Sequence, residues 1–344
     1  MQRTSRIEAL DYLRGFFILV IIVDHLYRWP NLFEYVSGRG ELWSSAAEGF
    51  VIISGLLVGY IRGYKNRSLP LSTVSRKVVL RGLMLYAWSI ITTLLLVSLS
   101  WVLTFKSPIA FVPYSPFDWS NLLSDALTLH FAHSLTHFLY LYAVFLVLSP
   151  ILLLLLRRGF WWLGIIASTG LWYYGYHTQV EWMQWQALFY IPAIAGYHLE
   201  AIIGYLHRTP RYVLWLVTGI GITTIIWSMM ISLPMVPGTY HPPLFAREPL
   251  TFERIALSFL WFVALALLFQ KILPWLQKSV SWLLLPLGTR SLTAYIAHAA
   301  PLMLIVAFVT PTTSFFVNTL LAVLAILTTW SIVRIPGINR IIPR

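Results

Sequence analysis

The sequence contains no cysteine, and charged residues make up only 10% of it. The absence of cysteine excludes disulfide bonds, thiolate nucleophiles and cysteine-ligated metals. Because a soluble globular protein carries about 25% charged residues, so little charge excludes a soluble enzyme. The 344 residues are instead 58% hydrophobic, with a mean hydropathy of +0.75, which predicts an integral membrane protein.

Acidic residues are also scarce, since 12 Asp and Glu stand against 24 Lys and Arg, for a formal net charge of +12. No basic soluble domain is visible that would bind nucleic acid, so no nucleic-acid partner is expected. In a membrane protein such an excess reflects basic cytoplasmic loops. The 16 Trp, 18 Tyr and 20 Phe are typical of aromatic belts at two membrane interfaces, so membrane lipids are expected partners.

Apolar runs recur along the whole chain, and a membrane-spanning helix needs roughly 20 such residues. Barrel-type alternation is absent, so the predicted fold class is all-α, a polytopic membrane protein with about ten transmembrane helices. No soluble domain interrupts the runs, so residues 1–344 are predicted to form a single transmembrane domain. The predicted helices lie near 12–28, 46–62, 78–104, 136–156, 160–176, 184–204, 212–234, 254–275, 288–309 and 314–334.

The distribution of positive charge predicts the orientation of these helices. When the N-terminus is placed in the cytoplasm, most Lys and Arg residues fall on cytoplasmic segments, as the positive-inside rule requires. The group Arg76, Lys77 and Arg81 then lies at the cytoplasmic start of the third helix. Both termini are therefore predicted to be cytoplasmic.

The first predicted helix includes DYLRGFFILVIIVDH, from Asp11 to His25, and carries charged groups that are costly inside a membrane. Arg14 and His25 fall on nearly the same helical face, about 16 Å apart along the axis. In one interpretation, Arg14 extends its charge to the cytoplasmic interface and His25 caps the far end. In the other, both line one cavity, with a cation at one end and a proton acceptor at the other.

The second predicted helix begins with AAEGFVIISG and places Glu48 near its outer end. Glu48 would lie at about the depth of His25 and is a candidate to orient the His25 ring. The alternative is an interfacial carboxylate paired with Arg28 or Arg39. Gly55 lies on the same face, and a small residue there predicts close approach of another backbone or a ligand.

Other polar and aromatic side chains within predicted helices are candidates either for a cavity lining or for interhelical packing. In the ninth helix three of them recur at i, i+4 and i+7 and therefore share a face. The sixth helix contributes an aromatic residue followed by an amide. These candidates are Trp185, Gln186, Arg290, Ser291, Tyr295 and His298.

Three histidines, His130, His133 and His137, recur at i, i+3 and i+7, which on a helix is a spacing suited to zinc. No acidic residue accompanies them at helical spacing, although Asp125 is close in sequence. Interfacial or glycan-binding histidines are therefore favoured over a metal site, and no metal is predicted.

Taken in order, these motifs resemble the acyltransferase type 3 superfamily. LDYLRGFFILVIIVDH is similar to its Arg-x10-His signature, and AAEGFVIISGLLVGY resembles the OpgC-type branch, named for succinylation of osmoregulated periplasmic glucans. The later segments HFLYLY, WMQWQALF and LGTRSLTAYIAH agree in order and spacing. The resemblance covers nearly the whole chain and implies ten helices.

The resemblance implies a membrane-embedded O-acyltransferase in the cytoplasmic (inner) membrane of a bacterium. It implies that an acyl group moves from cytoplasmic acyl-CoA, a co-substrate, to a hydroxyl of an extracytoplasmic saccharide, with no tightly bound cofactor. His25 takes the position of the family's catalytic histidine, and Glu48 is its candidate catalytic partner. His137 matches the family pattern and joins the six side chains above as an acceptor-side or cavity-lining candidate.

The cations expected to hold the phosphates of the donor are Arg14, Arg76, Lys77 and Arg81. Many relatives carry Arg-x-x-Arg near the third helix, whereas this chain has Arg76-Lys77 and Arg81, so its donor contacts depart from the family pattern.

Two other functional classes stay open. In a transporter or flippase for an anionic or lipid-linked substrate, the buried Arg, Glu and His would form a substrate or proton path. A non-catalytic membrane subunit would leave the histidine within the membrane without a role. Acyl transfer without net substrate flux distinguishes the enzyme from the transporter. Assembly into a homo-oligomer also stays open.

Overall fold

The structure is a computed structural model that describes residues 8–102, 113–233, 243–338 and 342. Within these residues the regular elements are helical and no strand occurs, so the all-α prediction is confirmed. The α-helices are α1 Glu8–Leu26, α2 Glu34–Ser37, α3 Ala46–Leu57, α4 Leu71–Val102, α5 Trp119–Leu127, α6 Phe138–Arg157, α7 Trp161–Thr178, α8 Glu181–Trp185, α9 Ala187–Tyr197, α10 Leu199–Arg208, α11 Arg211–Ser232, α12 Phe252–Lys271, α13 Leu273–Ser279, α14 Ser281–Thr289, α15 Ser291–Ala297, α16 Ala299–Phe308 and α17 Phe315–Arg334.

The membrane character of the chain is confirmed by the length and composition of these helices. In the part of the chain that the structure describes, seven helical segments are long and apolar enough to cross a membrane, or eight if the bent α8–α10 counts as one span. Each of the ten predicted segments is largely helical. The number ten and the cytoplasmic termini stay predictions, and Arg3, Arg6, Arg340 and Arg344 lie outside the described residues.

The charged helix α1 is not among those seven segments, because Asp11, Arg14 and Asp24 interrupt its apolar surface. Its described part, Glu8–Leu26, is already helical one turn before the predicted start, and the acidic Glu8 and Asp11 suit the positive end of the helix dipole. Tyr27 adopts a left-handed conformation with φ 52° directly after its last residue. Arg14 therefore lies within the regular part of α1 and not at its end.

Two predicted helices are broken in the structure. The predicted sixth helix bends by 73° at His198, where the backbone N–H is shared between the carbonyls of Ile194 and Ala195. The predicted ninth helix is interrupted at Arg290, which leaves helical geometry with φ −121° and ψ 38°. Pro301 has no N–H to donate to the carbonyl four residues before it, which weakens the same span at the junction of α15 and α16.

The described chain groups into two compact units. The first unit comprises residues 1–50, 210–243 and 256–344, and the second comprises residues 51–209 and 244–255. The first unit therefore contains α1 together with α13–α17, and the second contains α4–α10. The single transmembrane domain stays a prediction.

In the first unit, α1 packs backbone to backbone against α14. A Cβ atom on Gly15 would lie 2.1 Å from the carbonyl oxygen of Leu284. A Cβ atom on Gly288 would lie 1.8 Å from the carbonyl oxygen of Asp11. Small residues at such contacts let two membrane helices approach closely. This contact fixes α1, which carries both Arg14 and His25.

Replacement of Gly288 by alanine should lower the stability of the protein by about 1–3 kcal/mol or more, because the added methyl group must push α1 and α14 apart. Gly219→Ala is the matched control, since no heavy atom lies within 4 Å of a Cβ built there. Thermal unfolding in detergent should give a lower midpoint for Gly288→Ala and an unchanged or higher one for the control. Equal midpoints for the two variants would contradict the close contact.

In the second unit, α9 packs against the continuation of α3. Beyond Leu57 that helix widens into a π-helical segment, Val58–Lys65. Cβ atoms on Gly55 and Gly59 would lie 2.0 Å from the carbonyl oxygen of Phe189 and 1.8 Å from that of Ala193. The close approach predicted at Gly55 is thus confirmed, and the approaching group is a backbone.

Candidate active site

His25 and His298 form a hydrogen-bonded pair in the first unit. His25 lies in the last turn of α1 and is half-buried, whereas His298 is fully buried between α15 and α16. His25 Nδ1 lies 2.8 Å from His298 Nε2. The two rings stack with their centroids 5.1 Å apart and their planes at 29°. The pair therefore combines one approachable imidazole with one that is enclosed by protein.

The second nitrogen of His298 is bonded to the backbone carbonyl of Tyr295. A carbonyl oxygen only accepts hydrogen bonds, so His298 Nδ1 must carry a proton and donate it. A fully buried imidazole is favoured in its neutral form, because an uncompensated charge is costly there. His298 Nε2 is then left with a lone pair.

This lone pair determines which nitrogen of the His25 ring carries the proton. His298 Nε2 can only accept, so His25 Nδ1 must be the donor of the 2.8 Å bond. Neutral His25 then keeps an unprotonated Nε2, the form of imidazole that acts as a general base. His298 was predicted as a cavity-lining residue, and the structure adds that it fixes the tautomer of His25.

A series of aromatic contacts extends from Arg14 to the histidine pair. The Arg14 guanidinium carbon lies 5.7 Å from the centroid of the Phe50 ring. Phe50 stacks on Tyr295 with centroids 6.3 Å apart, and Tyr295 contacts His298 at 5.3 Å. The two conspicuous residues of α1 are thus joined by packed rings within one unit.

Glu48 is fully buried and accepts hydrogen bonds from the backbone N–H of Ser45, at 2.9 Å, and from the Ser45 hydroxyl. These bonds hold its carboxylate at the first turn of α3. The alternative pairing with Arg28 or Arg39 is not supported, because Arg39 pairs with another carboxylate and Arg28 donates to a backbone carbonyl. The predicted role of Glu48 beside His25 stays a prediction.

The candidate donor-binding cations are divided between the two units. Arg14 belongs to the first unit and is half-buried. Arg76, Lys77 and Arg81 belong to the second unit and are exposed along α4. Their contact with a donor stays a prediction.

The remaining acceptor-side candidates differ in their burial and in the hydrogen bonds that they make within the protein. The Gln186 amide is held by Ser168, whose hydroxyl donates to Gln186 Oε1 at 2.8 Å and whose carbonyl accepts from Nε2 at 2.7 Å. Trp185 is 1% exposed and Ser291 is 2% exposed. Arg290 donates to the backbone carbonyl of Val333. Of these residues, Gln186 has both ends of its side-chain amide hydrogen-bonded to a neighbouring helix, which favours a role in interhelical packing.

The helical face predicted for His130, His133 and His137 is wrong. His130 lies after a turn and bonds to the Thr128 hydroxyl at 2.7 Å, and His133 precedes the 3₁₀ turn Ser134–Thr136. Only His137 lies directly before a long helix. The chain changes direction through this segment, so the regular spacing does not place the rings together.

His137 has a partner that the sequence did not reveal. Its Nε2 atom lies 2.8 and 2.9 Å from the two carboxylate oxygens of Glu181, and the Tyr140 hydroxyl donates to the same carboxylate. Glu181 begins α8, far from His137 in sequence. The only sequence signal for this cluster is the matching of His137 to a family motif.

The fold and the site together define an all-α membrane protein with a hydrogen-bonded histidine pair at the end of a charged helix. The chain belongs to the OpgC protein family, whose model matches residues 6–340, nearly its full length. This confirms the resemblance drawn from the motifs, and membership implies an acyltransferase activity on glucans. No curated protein and no solved structure matches the chain.

Proposed function

We propose that this protein is a membrane-embedded O-acyltransferase that moves an acyl group from cytoplasmic acyl-CoA to a hydroxyl of an extracytoplasmic glucan, with His25 as general base. It would act in the inner membrane of a bacterium and need no tightly bound cofactor. Membership in the OpgC family supports the reaction class.

The observation that carries the role of His25 is its hydrogen bond to His298. Because His298 Nδ1 donates to a carbonyl and Nε2 accepts from His25, the ring of His25 is held with Nε2 unprotonated. A general base must have a lone pair aimed at the proton that it removes and a fixed ring orientation. His25 is partly exposed whereas His298 is fully buried, so His25 is the ring of the pair that a substrate can reach.

The proposed reaction needs one proton transfer in each direction. His25 Nε2 removes the proton of the glucan hydroxyl as its oxygen attacks the thioester carbonyl. The carbon–sulfur bond then breaks, the ester forms on the sugar, and the CoA thiolate leaves. The imidazolium of His25 then gives the proton to that thiolate, which forms the CoA thiol and returns His25 to its neutral form.

The donor carries phosphate groups, which cationic side chains recognise. We assign Arg14, Arg76, Lys77 and Arg81 to this role, with Arg14 joined to the histidine pair through Phe50 and Tyr295. We assign Glu48 as the catalytic partner of His25, and His298 positions the base through its hydrogen bond to Nδ1. Tyr295 and His137 are assigned to the acceptor side.

Replacement of Arg14 by alanine should raise the KM for acyl-CoA by about tenfold, because a charge-assisted hydrogen bond to the donor is lost. The KM for the glucan should change little. Steady-state kinetics with each substrate varied in turn measures both values, after thermal unfolding has shown that the variant is folded. Arg14→Lys keeps the positive charge, so its KM for acyl-CoA should lie between those of the parent protein and Arg14→Ala. A raised KM for the glucan with an unchanged KM for acyl-CoA would overturn the assignment.

The proposal as a whole is tested with the purified protein in nanodiscs, given acyl-CoA labelled in its acyl group and glucan freed of its esters. The expected result is label in ester linkage on the glucan and one free CoA for each ester formed. If labelled substrate crosses the bilayer of sealed proteoliposomes and no ester forms, the transport alternative replaces the enzyme.

A further inference from the structure

The second unit contains a polar cluster that the proposed chemistry at His25 does not use. Glu181, at the start of α8, accepts hydrogen bonds from His137, directly before α6, and from Tyr140, in the first turn of α6. Both carboxylate oxygens lie within 2.9 Å of His137 Nε2. Two side chains therefore hold the carboxylate in one orientation.

A fourth side chain reaches this cluster from the segment that precedes α12. The Arg247 guanidinium stabilises the Glu181 carboxylate electrostatically and lies 5.7 Å from the centroid of the Trp185 ring. Trp185 ends α8, the short helix that begins with Glu181. Arg247 thus brings a positive charge near enough to the carboxylate to stabilise it, and its guanidinium has five N–H donors.

The segment that carries Arg247 is fixed by buried polar contacts within the second unit. The backbone N–H of Leu250 donates to Gln184 Oε1 at 2.7 Å, and its carbonyl accepts from Trp172 Nε1 at 3.0 Å. Arg254, which is 2% exposed, donates to the carbonyl of Phe245 at 3.1 Å. Buried side chains that hold a loop in place are typical of a site organised before its ligand binds.

The cluster is partly exposed. The side chains of His137 and Glu181 are 29% and 31% exposed, so a ligand can reach the carboxylate. An anion would be repelled by Glu181, and a cation would be repelled by Arg247. A neutral ligand rich in hydroxyl groups suits both, because each hydroxyl donates to a carboxylate and accepts from a guanidinium.

We propose that His137, Tyr140, Glu181 and Arg247 form a saccharide subsite that holds a sugar unit of the glucan acceptor. Sugar hydroxyls would donate to Glu181 and accept from Arg247, while His137 and Tyr140 hold the carboxylate in place. The predicted topology puts His137 and Glu181 at the outer side of the membrane, where the glucan is. The subsite rests on the proposed function, because that function names a glucan as the acceptor.

The test is equilibrium binding of periplasmic glucans, stripped of their esters with mild alkali, to the purified protein in nanodiscs without any acyl donor. Glu181→Gln should weaken the affinity by about tenfold or more, since a hydrogen bond to a charged acceptor is lost. Tyr140→Phe, which keeps the ring and removes one hydroxyl, should weaken it by a smaller factor. If Glu181→Gln fails to fold, Tyr140→Phe and the exposed Arg247→Ala decide the question.

Glu200→Gln is the matched control. Glu200 lies in the same unit and also accepts from a tyrosine, Tyr60, at 2.7 Å and pairs with a cation, Lys65, at 3.0 Å. Its replacement should leave glucan affinity within twofold of the parent protein. Loss of affinity in Glu200→Gln equal to that in Glu181→Gln would show a general effect of removing a carboxylate, and would overturn the subsite.

The failure of this subsite is distinguishable from failure of the proposed function. If the parent protein binds glucan and the folded variants bind it equally well, the subsite is wrong and the acyltransferase stands. If the variants lose binding but the parent protein transfers no acyl group, the subsite stands and the reaction is wrong. If the parent protein binds no glucan, the acceptor and its subsite are both rejected.

Discussion

Replacement of His25 by alanine should lower the turnover of acyl transfer by about 10²- to 10⁴-fold, because the proton of the acceptor hydroxyl then has no base. His25 is half-buried on α1, and its Nδ1 atom is engaged by His298. The single-turnover rate of labelled acyl transfer to glucan measures the effect. Binding of acyl-CoA and of glucan should change little.

The control for this variant is His207→Ala, which removes an exposed histidine near the end of α10. Its turnover should equal that of the parent protein, and both variants should unfold at similar temperatures. Turnover near the parent value in folded His25→Ala would remove His25 from the mechanism. An imidazole supplied in the buffer should raise the rate of His25→Ala alone, since it can occupy the space of the missing ring.

Replacement of His298 by leucine should lower turnover by about 10²-fold or more, because His25 then loses the acceptor that fixes its tautomer and orientation. His298→Gln should restore much of the loss, since its amide oxygen can accept the hydrogen bond from His25 Nδ1. Turnover of the two variants is compared at equal amounts of folded protein. The KM for acyl-CoA should be unaffected in both.

This comparison separates a positioning role from a structural one. Leucine and glutamine both fill the buried space of His298, so a role in packing alone predicts similar turnover in the two variants. A role in holding the Nδ1 proton of His25 predicts recovery only in His298→Gln. Equal losses in both folded variants would contradict the assigned hydrogen bond.

Much of the fold could be predicted because transmembrane helices follow from local hydrophobicity. Apolar runs located ten helical segments, and each is largely helical in the structure. The breaks at His198 and Arg290 were not predicted, because a few polar residues within an apolar segment do not by themselves show where a helix bends. The close contacts of Gly15 and Gly288 were not predicted either, because they depend on which helices pack together. A glycine within an apolar run does not indicate which helix it will contact.

The candidate site could be predicted only in part. The spacing of Arg14 and His25 drew attention to α1, since charged groups in an apolar helix are unusual. Glu48 was expected beside His25 from similar depth alone, and this stays a prediction. The hydrogen bond of His298 to His25 Nδ1 was not expected, because nothing in the sequence pairs the two helices that carry these rings. The link between His137 and Glu181 joins two different helices, so helical spacing within either one could not reveal it.

The hydrogen-bonded chain from His25 through His298 ends at the carbonyl of Tyr295, and this ending restricts where a proton can go. An amide carbonyl is too weak a base to take the proton from an imidazole and pass it onward, so this route carries no proton beyond His298. In the proposed reaction, the proton that His25 takes from the sugar hydroxyl is therefore given to the departing thiolate and is not relayed through His298. The histidine pair then acts as a store that holds one proton during each turnover.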